Sequence, residues 1–334
     1  MESYNVVILA GGRCSWLKEV AGTDVRCLAK INGKRMLDYI IEAIRESGRV
    51  KRILLAIDPA VIDGEVLPEG VELCEAAQDL PSTADKAVAA LGYKGKVLFV
   101  CDDIPFLHGA AINDFLDKCE ARPGGNSYYP LIPKEVCEAA FPNAKRTYAK
   151  TKEGLFTGGN IMMMDAEVIP AALAKGREIF AKRKKPLELV KMLGLGFIFK
   201  FLFHRLTLDD VEKRGSLVVG FDGKAIVSSF AEVGMDVDKP EDFALAEKYL
   251  RTMPDDLIEI LESNGVVLYE DDVDKFNPRT QRVVKQVPTD NPDLDNFIVK
   301  RIRKGYSWNG VNLKPELVWI YKFKQEASVK NENQ

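Results

Sequence analysis

The feature that most constrains the fold is an apolar segment that runs into a glycine turn, residues 5–13, with the sequence NVVILAGGR. Five consecutive apolar residues are typical of a parallel strand that is buried on both faces. Gly11 and Gly12 let the backbone approach a ligand closely, and their N–H groups together with Arg13 suit phosphate oxygens. A tight strand-to-helix turn with a solvated arginine explains the same residues, so both interpretations stay open here.

The same strand and helix pattern recurs along the next hundred residues. Apolar side chains have helical spacing over residues 37–44, and residues 52–57 read as a second buried strand. A short strand at 71–73, a helix at 83–91 and an apolar strand at 96–101 follow. Strands that alternate with helices predict an α/β domain with a parallel sheet and right-handed crossovers.

Acidic residues follow two of the predicted strands. Asp102 and Asp103 come directly after the strand at 96–101, and Asp236 and Asp238 are expected at the end of another apolar strand, just before a predicted helix. In a doubly wound sheet, ligands bind beyond the carboxyl ends of the strands. Because Mg²⁺ prefers one or two carboxylates together with phosphate oxygens and water, these side chains are candidate metal ligands.

Two further segments have the composition of a binding site. Residues 157–160, TGGN, stand at the entrance of a strand, where glycines allow close approach of a ligand. Residues 145–150, KRTYAK, are basic with an interleaved aromatic side chain. A solvated hairpin explains the basic run equally well.

Several of these motifs resemble the MobA-like nucleotidyltransferases, the sugar-nucleotide pyrophosphorylase-type branch of the GT-A fold. The resemblance rests on residues 9–13, on residues 28–39 (LAKINGKRMLDY) and on residues 236–242 (DVDKPED), which are similar to the family's closing segment. Neither a GxGxxG fingerprint nor a Walker loop follows the first strand. The resemblance implies a GT-A/Rossmann-like three-layer αβα domain with a mostly parallel mixed sheet over residues 1–252.

Residues 253–334 form, in this interpretation, a small α+β appendage of unknown role. A linker is expected near residues 251–256, and the remaining pattern predicts helices at 256–263 and 294–302 and strands at 266–269 and 317–323.

The resemblance also implies an activity, a Mg²⁺-dependent nucleotidyl transfer. An acceptor hydroxyl or phosphate would attack the α-phosphate of a nucleoside triphosphate, and pyrophosphate would leave. The residues implied to bind the nucleotide are Leu9, Ala10, Gly11, Gly12, Arg13, Gln78, Ser82, Thr83 and Asp102. The implied catalytic residues are Arg13, Arg26 and Asp103, the metal ligands are Asp103 and Asp236, and the residues at the small-molecule acceptor are Thr157, Gly158, Gly159 and Asn160.

Some positions have a second explanation or depart from the family pattern. Ser82 or Thr83 also reads as a helix N-cap. The better-known family members have a small-residue loop with a second basic residue after the glycines, whereas this chain has CSW at residues 14–16. Arg26 stands where the family has a lysine. A GT-A glycosyltransferase that uses a nucleotide sugar and a catalytically degenerate nucleotide-binding protein therefore stay open as alternatives.

Composition limits the partners. The formal net charge of −3 gives no global attraction to nucleic acid, so a polymer-binding role is disfavoured. Six cysteines without a CxxC pair suit reduced thiols, and no basic and apolar leader precedes the first strand, so a cytoplasmic location is expected.

Residues 182–206 combine a basic run with phenylalanines. The apolar part is shorter than the roughly 20 residues that a membrane span needs. Peripheral contact with an anionic membrane is one interpretation, and helices packed over the sheet are the other.

Overall fold

The computed structural model describes residues 2–142, 144–182, 194–271 and 273–324. Contacts between Cα atoms divide the chain into two compact units, Met1–Leu250 and Arg251–Gln334. That these units are separable domains, with a boundary at residue 252, remains a prediction.

A nine-stranded mixed sheet forms the centre of the first unit. Its strands are β1 Tyr4–Leu9, β4 Val50–Ile57, β5 Val71–Glu75, β6 Lys96–Cys101, β7 Ser127–Pro133, β8 Ala149–Lys150, β9 Leu155–Gly158, β10 Ile161–Asp165 and β11 Gly223–Val227. The order is β5-β4-β1-β6-β10-β7-β9-β8, with β11 beside β7. Strands β5, β4, β1 and β6 are mutually parallel, whereas β10 runs antiparallel to β6 and β7. Two short strands, β2 Lys30–Ile31 and β3 Lys34–Arg35, form a separate hairpin.

The described helices of this unit cover both faces of the sheet. They are α1 Leu17–Ala21, α2 Met36–Glu46, α3 Leu80–Ala90, α4 Gly109–Glu120, α5 Lys134–Ala140, α6 Ile169–Lys182, α7 Leu195–Leu202 and α8 Leu208–Val219. The apolar sides of α2 and α4 pack with strand residues in one core, and those of α3 and α6 in a second. This is the three-layer αβα arrangement of the GT-A type, so the predicted fold class is confirmed.

A third apolar cluster lies beneath the carboxyl edge of the sheet. It contains Met36, Phe106, Phe141 and Phe243, all buried. The rings of Phe106 and Phe141 meet edge to face with centroids 4.9 Å apart. This cluster packs the segments that carry the candidate site residues against one another.

Helix α9, Pro240–Ser263, continues through residues 251–256, so the linker predicted there is wrong. Apolar residues keep helical spacing across the segment, at Leu250, Met253 and Leu257, which explains the continuity. The predicted helix at 256–263 is the last part of α9.

The second unit contains two three-stranded sheets, β12-β15-β16 and β13-β17-β14. The strands are β12 Val266–Tyr269, β13 Gln281–Thr289, β14 Ile298–Arg303, β15 Gly305–Trp308, β16 Val311–Lys314 and β17 Glu316–Phe323. The helix predicted at 294–302 is wrong, because β14 occupies most of it and pairs with β17. Its β-branched residues favour a strand once a partner strand is present. Glu316 is fully buried in this unit and is paired with Arg301 at 2.6 Å.

Candidate functional site

The glycine turn after β1 is fastened to the strand end beside it. Gly11 has a positive φ of 102°, which glycine adopts without strain. Its N–H donates to Oδ2 of Asp102 at 3.0 Å, and the carbonyl of Gly12 accepts from the N–H of Arg26 at 2.8 Å. The turn is thus held by Asp102, directly after β6, on one side and by the Arg26 segment on the other.

Arg13 lies at the surface of this turn. Its guanidinium pairs with Asp24 at 2.9 Å, and its side chain is 56% exposed. The backbone of Arg13 also bridges to Val25. Arg13 is therefore beside the glycine turn but separate from the buried acidic residues.

Arg26 is a partly buried cation of the site. Its Nη1 donates to Asp103 and lies 3.4 Å from Asp238, while Nη2 lies 3.5 Å from Sγ of Cys14. The Cys14 thiol thus contacts the guanidinium directly, and Trp16 packs edge to face on Phe243 at 6.2 Å. Cys14 and Trp16, which differ from the family pattern, therefore both pack against residues of the site or its supporting core.

Three carboxylates converge at the carboxyl edge of the sheet. One oxygen from each of Asp103, Asp236 and Asp238 lies within 4.8 Å of the others. Asp103 is 7% exposed, and its Oδ1 has no hydrogen-bond partner among the described residues. Burial raises the pKa of Asp103 to about 6, although Arg26 opposes the shift, and burial likewise raises the pKa of Asp238.

A set of carboxylate oxygens with one buried unpartnered atom suits a hard divalent cation. The structure brings together the two predicted ligands, Asp103 and Asp236, and adds Asp238 from the same closing segment. Asp236 follows the 3₁₀ helix Ala231–Gly234, so the strand end predicted there is wrong. Metal-ion chemistry is thus compatible with the residues present.

Asp102 has a different position from its neighbour. It is buried, braces Gly11 and lies outside the three-carboxylate cluster. Burial, followed by the charge of Asp103, raises the pKa of Asp102 to about 7. In this structure Asp102 supports the glycine turn.

Arg146 is the site residue that sequence reasoning passed over. It donates from Nη1 to Asp236, and its Nε and Nη2 are buried without a partner in the described part of the chain. The basic run at 145–150 was the available signal, but a solvated hairpin explained it equally well. The two residues are 90 positions apart, so their pairing is a property of the fold.

The predicted acceptor segment adjoins the closing segment of the first unit. The N–H of Asn160 donates to the carbonyl of Val233 at 2.8 Å. The carbonyl of Asn160 accepts from the N–H of Cys101 at 3.0 Å. A Cβ at Gly159 would lie 2.7 Å from Cγ of Pro130, so close packing also requires this glycine. Thr157 and Gly158 belong to β9, on the same stretch of chain.

The segment at 78–83 begins α3, whose N-cap is Asp79. The prediction of Ser82 or Thr83 as the N-cap is wrong, because both residues lie within the first turn of the helix. Asp79 accepts from the N–H of Ser82 at 2.7 Å because it directly precedes the first helical turn. The hydroxyl of Thr83 bonds to backbone groups of Ala77 and Asp79, and that of Ser82 accepts from Arg177 at 2.6 Å. Gln78 is exposed beside them.

The segment predicted to touch a membrane, 182–206, is described in part, because residues 183–193 lie outside the described ranges. Helix α7 and its C-cap residue Phe203 expose large apolar side chains. The rings of Phe199 and Phe203 stack with centroids 6.3 Å apart. Among the described helices, none combines the length and the apolar character that crossing a bilayer requires.

Two cavities are lined by residues outside the three-carboxylate cluster. One, of about 850 Å³, is lined by residues of α8 and by residues 220–224, and another, of about 390 Å³, lies between α6, α8 and the sheet. Neither is lined by Asp103, Asp236 or Asp238.

Comparison with known proteins identifies the first unit. Residues 6–152 match the family model of the MobA-like NTP transferase domain. A solved structure from Thermus thermophilus, described as a hypothetical transferase, is 32% identical, with a TM-score of 0.64 over 72% of this chain and 99% of that one. The 3-deoxy-manno-octulosonate cytidylyltransferase of Pectobacterium carotovorum subsp. carotovorum (strain PC1) is 26% identical over 65% of this chain and 88% of its own.

A different similarity covers the C-terminal part. Residues 233–322 match the GrpE family model. The protein GrpE of Lactobacillus acidophilus is 32% identical over 66 residues, which are 20% of this chain and 34% of that protein. Sequence reasoning assigned residues 236–242 to the closing segment of the MobA-like family and identified no family beyond residue 252.

Proposed function

Since the chain belongs to the MobA-like NTP transferase domain family through residues 6–152, we propose that it is a Mg²⁺-dependent nucleotidyltransferase. The observation that carries the proposal is the cluster of Asp103, Asp236 and Asp238 at the carboxyl edge of the sheet. Asp103 is adjacent in sequence to Asp102, whose carboxyl accepts from the glycine turn. Ligands of doubly wound sheets bind at this edge.

The three aspartates would hold the metal ion. When bound, Mg²⁺ would offset the negative charge of the triphosphate and of the transition state. The unpartnered Oδ1 of Asp103 and the raised pKa of this carboxyl support the assignment, because a cation would satisfy the oxygen and favour the ionised form.

The chain's own residues would position the nucleotide. Because the N–H of Gly11 is bound to Asp102, the N–H of Gly12 would contact phosphate oxygens. The exposed side chain of Arg13, which pairs with Asp24 in this structure, would contact them too. Arg26, partly buried between the turn and Asp103, would balance charge that develops on the leaving pyrophosphate.

The reaction forms a bond between an acceptor oxygen and the α-phosphorus and breaks the bond from that phosphorus to the oxygen bridging to the β-phosphate. A hydroxyl acceptor would also lose its proton to a base, whereas a phosphate acceptor would not need one. Positioning supplies much of the acceleration in such transfers. Residues Thr157 to Asn160 would contact the acceptor.

Cytidine triphosphate is the first nucleotide to test, because a relative over most of this domain is a cytidylyltransferase for a sugar acid. The test is pyrophosphate release from each of the four NTPs with Mg²⁺ and a panel of sugar phosphates, sugar acids and alditol phosphates. Asp103→Asn keeps the shape of the side chain and removes one charge, and it should lower turnover by several orders of magnitude. Unchanged turnover in this variant would contradict the assignment.

The same panel separates the alternatives. A GT-A glycosyltransferase would consume a nucleotide sugar and release no pyrophosphate from NTPs. A degenerate nucleotide-binding protein would raise its melting temperature with an NTP but show no turnover with any acceptor.

A further inference from the structure

Two arginines occupy the carboxylate cluster in this structure. Arg26 donates to Asp103, and Arg146 donates to Asp236. Each guanidinium thus binds a carboxylate that is also a candidate ligand of the metal ion. A cation already bound to the carboxylates competes with an incoming metal ion.

The two arginines approach the cluster from different segments. Arg26 is hydrogen-bonded through its backbone to Gly12, on the nucleotide turn. Asp236, the partner of Arg146, follows a segment that borders the predicted acceptor residues, since Val233 accepts from Asn160 and a Cβ at Gly234 would lie 3.1 Å from the Gly158 carbonyl. Arg146 therefore meets the cluster at the carboxylate next to the acceptor segment.

Arg146 is only partly satisfied by this pairing. Its Nε and Nη2 are buried and have no partner in the described part of the chain. Buried donors without acceptors are costly, and a guanidinium fork is suited to two oxygens of one phosphate or carboxylate. These N–H groups can bind an oxyanion.

The charges of the cluster change sign when a metal ion is added. Three ionised carboxylates against two guanidinium groups leave one net negative charge, and one divalent cation turns this into one net positive charge. A site of that sign attracts an anion and weakens the hold of the carboxylates on the arginines.

We propose that Arg146 exchanges partners: it holds Asp236 when the metal site is empty and binds a phosphate or carboxylate group of the acceptor when metal and nucleotide are present. The inference rests on the proposed function and adds the acceptor's chemical class, an oxyanion-bearing molecule. It makes metal binding and anion binding mutually favourable, because each relieves the competing interaction of Arg146.

The test is isothermal titration calorimetry on the full chain with two probes. The first is Mn²⁺ alone, and the second is inorganic phosphate in the presence of saturating Mg²⁺ and α,β-methylene-CTP, which cannot be cleaved at the α-phosphate. Arg146→Gln should bind Mn²⁺ more tightly, by roughly tenfold, and phosphate more weakly, by roughly tenfold or more. Arg146→Lys keeps the charge but not the planar fork, so its affinities for Mn²⁺ and for phosphate should lie between those of the wild type and those of Arg146→Gln.

Arg52→Gln is the matched control, since Arg52 forms an exposed pair with Glu72 and should change neither affinity. Opposite shifts in Arg146→Gln support the proposal. A loss of both affinities, or no change in either, would overturn it. If the wild type binds no Mn²⁺, the proposed function fails together with this inference, whereas Mn²⁺ binding that Arg146→Gln leaves unchanged refutes the inference alone.

Discussion

Buried side-chain atoms without partners are concentrated at the candidate site, although Oδ1 of Asn113, elsewhere in the described part of the first unit, is another. Oδ1 of Asp103 and Nε of Arg26 and Arg146 are buried without partners in the described residues. Each such group costs roughly 1–3 kcal/mol of stability in the absence of a ligand. Their concentration around one carboxylate cluster indicates a place where the fold is completed by what it binds.

A prediction at this scale concerns Asp102. Because burial raises its pKa to about 7 in the folded state, from 3.8 as the ordinary value, the unfolded chain loses this proton first as pH rises. The Asp102 carboxyl therefore lowers the free energy of unfolding progressively as the pH rises from about 4 to about 7, and this destabilisation stays constant at higher pH. Asp102→Asn keeps an acceptor oxygen for Gly11 and removes the buried charge.

The variant should be as stable as the wild type near pH 4 and more stable, by a few kcal/mol, at about pH 8. Urea denaturation in the presence of EDTA measures the difference without bound metal. A difference that does not vary with pH, or a less stable variant at pH 8, would show that the Asp102 charge is not destabilising.

Among the elements, α7 stands out for its exposed apolar side chains. Four residues of the segment are about half exposed or more, namely Phe199, Phe201, Leu202 and Phe203. Isolated exposed apolar residues are common, but a contiguous group of this kind marks an interaction surface. Basic residues, including Lys200 and Arg205, lie among and beside them.

The hypothesis of peripheral membrane contact is tested at this helix. The full chain should co-sediment with anionic vesicles at low salt and less so at high salt, since each basic residue near such a surface contributes about 1 kcal/mol. The double variant Phe199→Ser with Phe203→Ser should reduce binding, whereas Val66→Ser, at an exposed apolar residue elsewhere, should not. Absence of co-sedimentation at every salt concentration would reject the hypothesis.

Elements were predictable where the sequence pattern is strong, and contacts between distant elements were not. The apolar strands β1 and β6 and the acidic residues after β6 could be predicted because their periodicity and end position are local properties. Strand β14 was mistaken for a helix, since pairing with β17 outweighs the local pattern. The pairing of Arg146 with Asp236 could not be predicted, because no local sequence pattern relates two residues that are 90 positions apart.

At the scale of the whole molecule, the chain carries two family similarities, the MobA-like NTP transferase domain at 6–152 and GrpE at 233–322. The second similarity begins before the boundary between the two compact units, within the closing segment of the first. Helix α9 likewise runs through this boundary.

The separability of the units remains a prediction. Phe243 and Ala246, at the start of α9, are buried in the first unit's core, so a chain that ends after Arg251 keeps them. This truncated chain should be soluble, melt cooperatively and gain stability from NTP with Mg²⁺. An insoluble or unfolded product would mean that residues 252–334 are needed to complete the fold.

The central claim is that Asp103, Asp236 and Asp238 hold the metal ion that serves a bound nucleotide. The most direct measurement is a crystal structure of the full chain with Mn²⁺ and α,β-methylene-CTP, in which the anomalous signal of Mn²⁺ locates the metal. We predict an anomalous peak in coordination contact with Asp103 and Asp236, beside the triphosphate at the glycine turn. A nucleotide bound with its metal far from both carboxylates would contradict the account.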